Sequence, residues 1–293
     1  MAESDSSRRI AIVTGASSGI GLYTALGLAR AGMRVVMTGR SRERIDAARN
    51  FVTARVNGAQ IDTALADFSS LAAVRRLADE ILAQYDRIDV LVNNAGLVSP
   101  NYRLSQDGYE LTFAVNHLAP FLLTNLLLDK LKTSAPSRIV TVASRAHRGQ
   151  RIDLATITGS RDWSIRKAYG RSKLCNILFT RELARRLDGT GVVAMCLHPG
   201  FVATGLGHRG GIVEVYWRLM RPFMISVEKG ADTALFLATV PDPAPFNGGY
   251  VVGRALEQPD PAARDNTMAR RLWDETARLV GLDQQQTSST RAN

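Results

Sequence analysis

A chain of 293 residues is long enough for one large α/β domain, and 45% hydrophobic with 22% charged residues is ordinary for a soluble globular protein. The net charge of +10 comes from 37 Lys and Arg against 27 Asp and Glu, yet the basic residues are mostly scattered arginines without a nucleic-acid-binding motif. We therefore expect no nucleic-acid partner, and a local basic patch for a phosphorylated cofactor is the favoured use of the charge.

Metal and membrane chemistry are also not indicated by the sequence. Cys175 and Cys196 lack a CxxC pattern and should be reduced, and the histidines show no metal-ligand spacing, so we predict no metal site. The polar start "MAESDSSRR" is not a signal peptide, and the apolar stretch "LAPFLLTNLLLDKL" is too short and too polar to span a bilayer. These features predict a cytoplasmic protein without stable membrane insertion.

Short apolar runs alternate with helical patterns along the chain. Strands are predicted at 10–14, 34–38, 60–66, 89–94, 138–144, 192–198 and 249–252. Helices are predicted at 19–31, 41–56, 69–85, 106–133, 168–188 and 264–281. This alternation predicts an α/β fold, a Rossmann-type doubly wound parallel sheet in three αβα layers.

No linker or repeat divides this pattern, so we predict a single domain over 9–282. Residues 199–230 break the rhythm with glycines and aromatics, and we interpret them as a lid over the substrate. Residues 1–8 and 283–293 are predicted to be disordered.

The first strand runs into "TGASSGIG" (14–21) and then into a helix. Glycines at 15, 19 and 21 allow a tight turn that approaches a pyrophosphate, whose charge the helix N-terminus favours. A purely structural turn is the alternative, but the position between strand and helix favours dinucleotide binding.

The end of the second strand indicates which dinucleotide is bound. The chain reads "MTGRSRER" there, with Arg40 where NAD-binding folds usually place an acidic residue. A guanidinium binds a 2′-phosphate that a carboxylate would repel, so NADP(H) is favoured over NAD(H). Arg42 either assists or faces solvent. Asp67, after the third strand, is read equally as an adenine contact or as a turn residue.

The chemistry is indicated by "AYGRSKLCN" (168–176), which places Tyr169 and Lys173 one helical turn apart on one face. A free phenol has a pKa of about 10, and a neighbouring ammonium would lower that pKa toward neutrality. Tyr169 is therefore a candidate acid and base, and Ser144 follows the fifth strand at the same edge of the sheet.

These motifs together, "TGASSGIG", "NNAG", the strand-end serine, "YGRSK" and "HPG", resemble the short-chain dehydrogenase/reductases over nearly the whole chain. A narrower resemblance, to the retinol-dehydrogenase-like branch with its protochlorophyllide reductase relatives, rests on "HPGFVATGL", "SVEKGADTALFLAT" and the late "GGYVVGRALEQPDPAARDNTMARRLWDETARLVGL". Animal retinol dehydrogenases commonly carry an N-terminal membrane segment that this sequence does not show, so retinol itself stays open as a substrate.

The resemblance implies four catalytic residues. Tyr169 would exchange a proton with the substrate oxygen, and Ser144 would hold that oxygen by a hydrogen bond. Lys173 would also hold the nicotinamide ribose, and Asn116 would support a proton-relay water. Ser172 lies in the same run but is assigned no catalytic step.

The resemblance also implies a cofactor site that uses small residues of "NNAG" beside the nicotinamide and the backbone of "HPG" beside its carboxamide. His198 is interpreted as a packed strand residue. The expected cofactor contacts are Gly15, Ser17, Ser18, Gly19, Ile20, Gly21, Arg40, Asp67, Phe68, Asn93, Ala95, Gly96, Tyr169, Lys173, Pro199, Gly200, Val202 and Thr204.

Two functions remain open from the sequence. The first is an NADP-dependent oxidoreductase that interconverts an alcohol with its ketone or aldehyde. The second is a non-catalytic dinucleotide-binding sensor or scaffold, against which the intact catalytic set argues. The apolar residues of 201–225 suit a lipophilic or aromatic substrate, or simply pack on the domain. In the resembled family, helices equivalent to 106–133 and 168–188 pair across a two-fold axis, which implies a homodimer or homotetramer.

Overall fold

The structure is a computed structural model that describes residues 8–201 and 225–283. The predicted disordered termini lie almost wholly outside these ranges. Most of the predicted lid does as well, and with it the predicted cofactor contacts Val202 and Thr204.

A single sheet forms the centre of the described fold, and its eight strands follow the order β3-β2-β1-β4-β5-β6-β7-β8. All neighbours pair in parallel except β7 and β8. The order reverses between β1 and β4, which confirms the predicted doubly wound α/β fold. The strands are β1 Ile10–Val13, β2 Arg34–Gly39, β3 Ile61–Leu65, β4 Val90–Asn93, β5 Ser137–Val142, β6 Val192–His198, β7 Tyr250–Val252 and β8 Ala255–Leu256.

Helices cover both faces of the sheet and bury a separate core on each. One core joins β-strand residues to α1, α2 and α8 through Leu26, Ile45 and Leu237, and the other joins them to α3, α5, α7 and α9. The helices are α1 Gly19–Arg30, α2 Arg42–Thr53, α3 Leu71–Gln84, α4 Leu111–Phe113, α5 Ala119–Leu126, α6 Leu128–Thr133, α7 Ile165–Arg186, α8 Val227–Thr239 and α9 Asn266–Leu279. The three-layer arrangement is as predicted.

Two helical stretches differ from the sequence prediction. Helix α8 lies partly inside the segment 199–230 that we predicted to be an irregular lid, and Ser226 caps it by accepting a hydrogen bond from the Lys229 amide. It packs closely on α1, because a Cβ on Gly27 of α1 would lie 2.6 Å from Leu235 Cδ2 of α8. The helix predicted at 106–133 begins only at Leu111, and it is interrupted by a wider π-turn at Ala114–Leu118.

Helix α9 covers the outer face of α5 and α7. Trp273 of α9 lies 4.9 Å from the Phe121 ring and 5.8 Å from the Phe179 ring, measured between centroids. Residues 172–180 of α7 are all buried, so more than two turns of this helix have no side facing solvent. Helix α9 therefore occupies part of the face through which these helices were predicted to pair with a second copy, and that pairing stays a prediction.

Trp273→Ala should lower the free energy of unfolding by about 2–4 kcal/mol, because it removes a partly buried aromatic side chain from two ring contacts. Urea denaturation measures this change. Arg270→Ala, at an exposed position of the same helix, is the control and should change stability by less than about 0.5 kcal/mol. Equal effects of the two variants would contradict the role given to Trp273.

Candidate active site

The glycine-rich turn between β1 and α1 has the backbone shape of a phosphate-binding site. Gly15 has a φ of +65°, and a Cβ there would lie 2.8 Å from Ala95 Cα. Gly19 also has a positive φ, of +60°. Ser18 precedes α1 in extended conformation without capping it by its side chain, which suits an anion at the amides of the first turn. Ser17, half-buried, lies beside Gly39 at the end of β2.

Asn94 holds this turn in place, although the sequence analysis passed over it. Its Nδ2 donates to the carbonyl oxygens of Thr14 at 2.8 Å and Gly15 at 3.2 Å, and its backbone N–H donates to Thr14 Oγ1 at 2.9 Å. Gly21 is needed for this contact, because a Cβ there would lie 2.4 Å from Asn94 Nδ2. The second asparagine of "NNAG" is the sequence feature that could have indicated this role.

The two asparagines of that motif have different tasks. Asn93 is buried, and its Nδ2 donates to Thr124 Oγ1 of α5 at 2.9 Å, so its side chain is turned into the core. Phe68 is likewise packed in the core on the α3 side of the sheet. Because both side chains are turned into the core, only the backbones of these residues are left for the predicted cofactor contacts.

Arg40 is exposed at the end of β2, beside a cleft of about 180 Å³. The cleft is also lined by Asp67, Ser70, Arg76 and Gln106. Arg44 was not considered in the sequence analysis, yet it reaches the glycine-rich turn, where its guanidinium donates to Ser18 Oγ at 3.4 Å. This edge of the site is consequently rich in cationic side chains.

Asp67 is a turn residue in this structure. Its Oδ1 accepts hydrogen bonds from the Ser69 amide at 2.9 Å and the Ser69 hydroxyl at 2.8 Å, and its Oδ2 accepts from Gln106 Nε2 at 3.3 Å. The turn interpretation is therefore confirmed, and the residue still lines the cleft where an adenine contact was the alternative.

At the other end of the site, β6 is followed by Pro199 and Gly200. Gly200 has a φ of +89°, and a Cβ there would lie 2.6 Å from Ile225 Cδ1. The Ile225 amide donates to the Phe201 carbonyl at 2.9 Å, so the chain on either side of residues 202–224 meets beside this turn. Ile20 of the glycine-rich turn packs near the same place with Ala231 of α8. His198 is half-buried in β6, as predicted.

The four predicted catalytic residues come from three elements and converge at the carboxyl edge of the sheet. Ser144 follows β5, Tyr169 and Lys173 lie on α7, and Asn116 lies in the π-turn after α4. The Ser144 side chain lies close enough to the Tyr169 phenol to act on its pKa as a hydrogen-bond partner. The Lys173 Nζ atom lies 5.7 Å from the centre of the Tyr169 ring.

Burial changes the protonation of this pair. It raises the pKa of the Tyr169 phenol, and the hydrogen bond with Ser144 opposes that rise. It also lowers the pKa of Lys173 to about 8, since the ammonium is desolvated. The sequence predicts a lowered phenol pKa, which is wrong, because desolvation of the phenolate has the larger effect in the structure.

Lys173 is held by the backbone at the end of β5. Its Nζ donates to the Val142 carbonyl at 2.9 Å, and only 4% of the residue is exposed. A Cβ on Gly96 would lie 3.6 Å from that Nζ and 3.2 Å from Asn116 Oδ1. The small residue predicted to face the nicotinamide is thus also what allows the lysine and asparagine to approach.

Asn116 fixes the loop after β4 through both the oxygen and the nitrogen of its side-chain amide. Its Oδ1 accepts from the Leu97 N–H at 2.8 Å, and its Nδ2 donates to the Leu97 carbonyl at 3.0 Å. The same Nδ2 donates to Ser172 Oγ at 3.0 Å, and that hydroxyl donates to the Tyr169 carbonyl at 2.7 Å. Ser172, which was given no catalytic step, therefore links the asparagine to the helix that carries the tyrosine.

Gly170 is a second residue that the sequence analysis missed. A Cβ there would lie 2.6 Å from the Ala146 carbonyl oxygen and 2.8 Å from the Gln150 side chain. Only glycine lets α7 approach the short turn after Ser144, and this approach brings Tyr169 to the serine. The sequence feature that could have indicated this close contact is a glycine inside a predicted helix.

Neither a metal cluster nor a spanning helix is present in the described residues. Across residues 8–201 and 225–283, no group of three or more His, Cys, Asp or Glu side chains is placed to hold a metal ion. Over the same ranges, no helix combines the length and apolarity needed to cross a bilayer.

Comparison with known proteins identifies the family. Residues 9–210 match the short chain dehydrogenase family, and the chain belongs to it. Human retinol dehydrogenase 13 is 41% identical over 283 residues, which are 93% of this chain and 84% of that protein. Mouse retinol dehydrogenase 12 is 38% identical over 274 residues, or 94% of this chain and 87% of that protein.

Solved structures agree with this assignment. An uncharacterized protein from Mycobacterium paratuberculosis superposes with a TM-score of 0.75 at 34% identity, covering 93% of both chains. A short chain dehydrogenase from Burkholderia cenocepacia, crystallised in complex with NADP, gives a TM-score of 0.67 at 26% identity, covering 88% of this chain and 98% of that one. The protein is therefore an oxidoreductase of a family that binds nicotinamide dinucleotides.

Lys173→Met should stabilise the protein by up to about 3 kcal/mol at pH 7, because it removes a buried ammonium whose pKa is lowered. Between pH 8 and 10.5 the unfolded chain binds more protons than the folded chain, so wild-type stability rises with pH there and the advantage of the variant shrinks. Urea denaturation at several pH values measures this difference. Lys229→Met, at an exposed position, should show no such trend, and a pH-independent effect at Lys173 would contradict the prediction.

Proposed function

We propose that this protein is an NADP-dependent oxidoreductase that interconverts an alcohol and its ketone or aldehyde, with Tyr169 as general acid and base. The observation that carries the proposal is that the Tyr169 phenol and the Ser144 side chain lie near each other at the carboxyl edge of the sheet, one helical turn from a buried Lys173. A phenol and a hydroxyl that converge in this way offer two hydrogen bonds to one substrate oxygen, which would fix the carbonyl carbon for hydride transfer.

The residues present fit a nicotinamide dinucleotide. The glycine-rich turn approaches Ala95 too closely for any larger residue, and the first turn of α1 is left without a side-chain cap for the pyrophosphate. Gly96, Pro199 and Gly200 would border the nicotinamide. When bound, the cofactor supplies or accepts the hydride, while the protein binds, orients and moves the proton.

The protonation of Tyr169 suits proton donation. A raised pKa keeps the phenol protonated at neutral pH, and a protonated phenol can donate to a carbonyl oxygen during reduction. In oxidation the phenolate must form, and a protonated Lys173 beside the ring would stabilise it. Ser144 also favours the phenolate through its hydrogen bond.

Preference for NADP(H) is proposed from the cationic edge of the site. Arg40 borders the cleft after β2, and Arg44 reaches the glycine-rich turn. Two guanidinium groups there would attract a 2′-phosphate, which NADP carries and NAD lacks. The NADP complex of the Burkholderia cenocepacia relative is consistent with this preference.

For the substrate we propose a lipophilic or aromatic carbonyl compound. The support is the apolar composition of 201–225 and the similarity to proteins named retinol dehydrogenases. The cytoplasmic location and the homo-oligomer stay predictions from the sequence. An oligomer would have to use a surface other than the α5–α7 face under α9.

The first experiment is oxidation of NADPH and NADH by the purified protein with retinal, long-chain aldehydes, aromatic ketones and steroid ketones. We expect turnover with NADPH well above NADH. Binding of NADPH without turnover of any carbonyl on the panel would favour the sensor or scaffold instead.

Tyr169→Phe should lower kcat by at least about a hundredfold, because it removes the proton donor, while the Kd for NADPH stays within about threefold. Steady-state kinetics and quenching of protein fluorescence by NADPH measure the two quantities. Gly96, Ser18 and the other groups around the cofactor are unchanged in this variant. Undiminished turnover would remove Tyr169 from the mechanism.

Arg40→Ala should raise KM for NADPH by about tenfold or more and leave KM for NADH nearly unchanged, because a charge-assisted bond to the 2′-phosphate is lost. Arg30→Ala is the matched control, since it removes the same charge from the opposite, exposed end of α1. A parallel loss with both cofactors would show that Arg40 does not distinguish them.

A further inference from the structure

His117 is a buried titratable residue that the proposed reaction does not use. It lies in the π-turn beside Asn116, and 1% of it is exposed. Its Nδ1 is 3.3 Å from Asn176 Oδ1 of α7, and its Nε2 is 3.1 Å from Thr276 Oγ1 of α9. The ring therefore joins the π-turn, the helix of the catalytic tyrosine and the last described helix.

The surroundings keep this ring neutral and oriented. Desolvation lowers the pKa of His117 to about 4, so one nitrogen carries a proton at pH 7 and the other accepts. Aromatic rings pack on three sides, with centroids 5.3 Å away at Phe113, 6.2 Å at Phe121 and 6.2 Å at Phe179. The imidazole has little freedom to turn within this group.

The hydrogen-bond partners determine which nitrogen carries the proton. Asn176 Nδ2 donates to the Val142 carbonyl at 3.3 Å, which leaves its Oδ1 facing His117 as an acceptor. His117 Nδ1 must therefore be the donor, and Nε2 must accept. The Thr276 hydroxyl donates to the Leu272 carbonyl at 2.6 Å, and it shares the same proton with His117 Nε2, which lies 3.1 Å away, in a three-centre hydrogen bond.

This chain of bonds ends at the catalytic lysine. The Val142 carbonyl that accepts from Asn176 is the same oxygen that accepts from Lys173 Nζ at 2.9 Å. Asn176 is buried with 2% exposed, and it lies on α7 within one turn of Lys173. Any shift of Asn176 would change the space and the hydrogen bonding at the oxygen that holds the lysine.

We propose that Thr276 and His117 are positioning residues, which hold Asn176 and through it the Val142 carbonyl and Lys173 in the catalytic arrangement. Helix α9 is then part of the active-site architecture as well as a cover for α5 and α7. The proposal rests on the proposed oxidoreductase function. Both residues are buried, with 1% of His117 and none of Thr276 exposed, and both act through Asn176.

Thr276→Val and Thr276→Ser test the proposal, because they differ in the hydroxyl that faces His117. Thr276→Val should lower kcat by about tenfold and weaken NADPH binding several-fold, with KM for the carbonyl nearly unchanged, because Lys173 is displaced. Thr276→Ser keeps the hydroxyl and should restore kcat and NADPH affinity to near the wild-type values. All variants are assayed well below their Tm.

Trp273→Phe is the matched structural control on the same helix. It weakens the packing of α9 on Phe121 and Phe179 without touching the His117 bonds, so it should lower Tm and leave kcat unchanged. Wild-type kcat and NADPH affinity in Thr276→Val would overturn the proposal. So would a loss that serine does not restore, or an equal loss of kcat in Trp273→Phe.

A measurement without turnover separates this proposal from the proposed function. In ¹⁵N-histidine NMR spectra, His117 should appear as the neutral tautomer protonated at Nδ1, and Thr276→Val should alter its Nε2 signal. If the wild-type protein turns over no carbonyl, the oxidoreductase proposal fails. The NMR spectra and the NADPH affinity then still test whether Thr276 and His117 position Asn176 and Lys173. An Nε2-protonated His117, or unchanged NADPH binding in Thr276→Val, overturns it.

Discussion

The Val142 carbonyl at the end of β5 is the point on which the geometry of the active site depends. A buried ammonium is unfavourable unless an oxygen compensates for its lost hydration, and this carbonyl does so in part for Lys173. The strand ends at Val142, so its carbonyl is available to side chains of α7. Because the same oxygen also accepts from Asn176, the position of the lysine is tied to the packing of α7 against the sheet.

The close approach of α7 in turn depends on small residues. Gly170 lets the helix contact the turn after Ser144, and Gly96 leaves room for the Lys173 and Asn116 side chains. Larger residues would separate groups that must lie within hydrogen-bond distance for the proposed proton transfer. The π-turn contributes similarly, since it turns Asn116 toward Leu97 and its neighbour His117 toward α7 and α9.

The burial of residues 172–180 of α7 on all sides links stability to this site. Within the described residues, α9 supplies the outermost layer through Trp273, while Arg186 of α7 lies over its ring at 4.3 Å. A second copy of the chain is therefore not needed to bury the aromatic residues of α5 and α7. Buried polar groups such as Lys173 lower stability in exchange for a fixed catalytic geometry, which is a common relation at active sites.

The sequence by itself determined the α/β class, the positions of five of the helices to within a few residues, the glycine-rich turn between β1 and α1, and the four residues that converge at the sheet edge. These features follow from local periodicity and from glycines at required turns, and family resemblance gave the roles of the four residues. Tertiary structure alone decided the rest. The direction of the Tyr169 pKa shift depends on desolvation by distant segments, and the tasks of Asn94, Ser172 and Asn176 depend on partners far along the chain. The cover that α9 forms over α7, and the bond of Thr276 to His117 across 159 positions, arise only when the helices pack, because no local pattern encodes which faces meet.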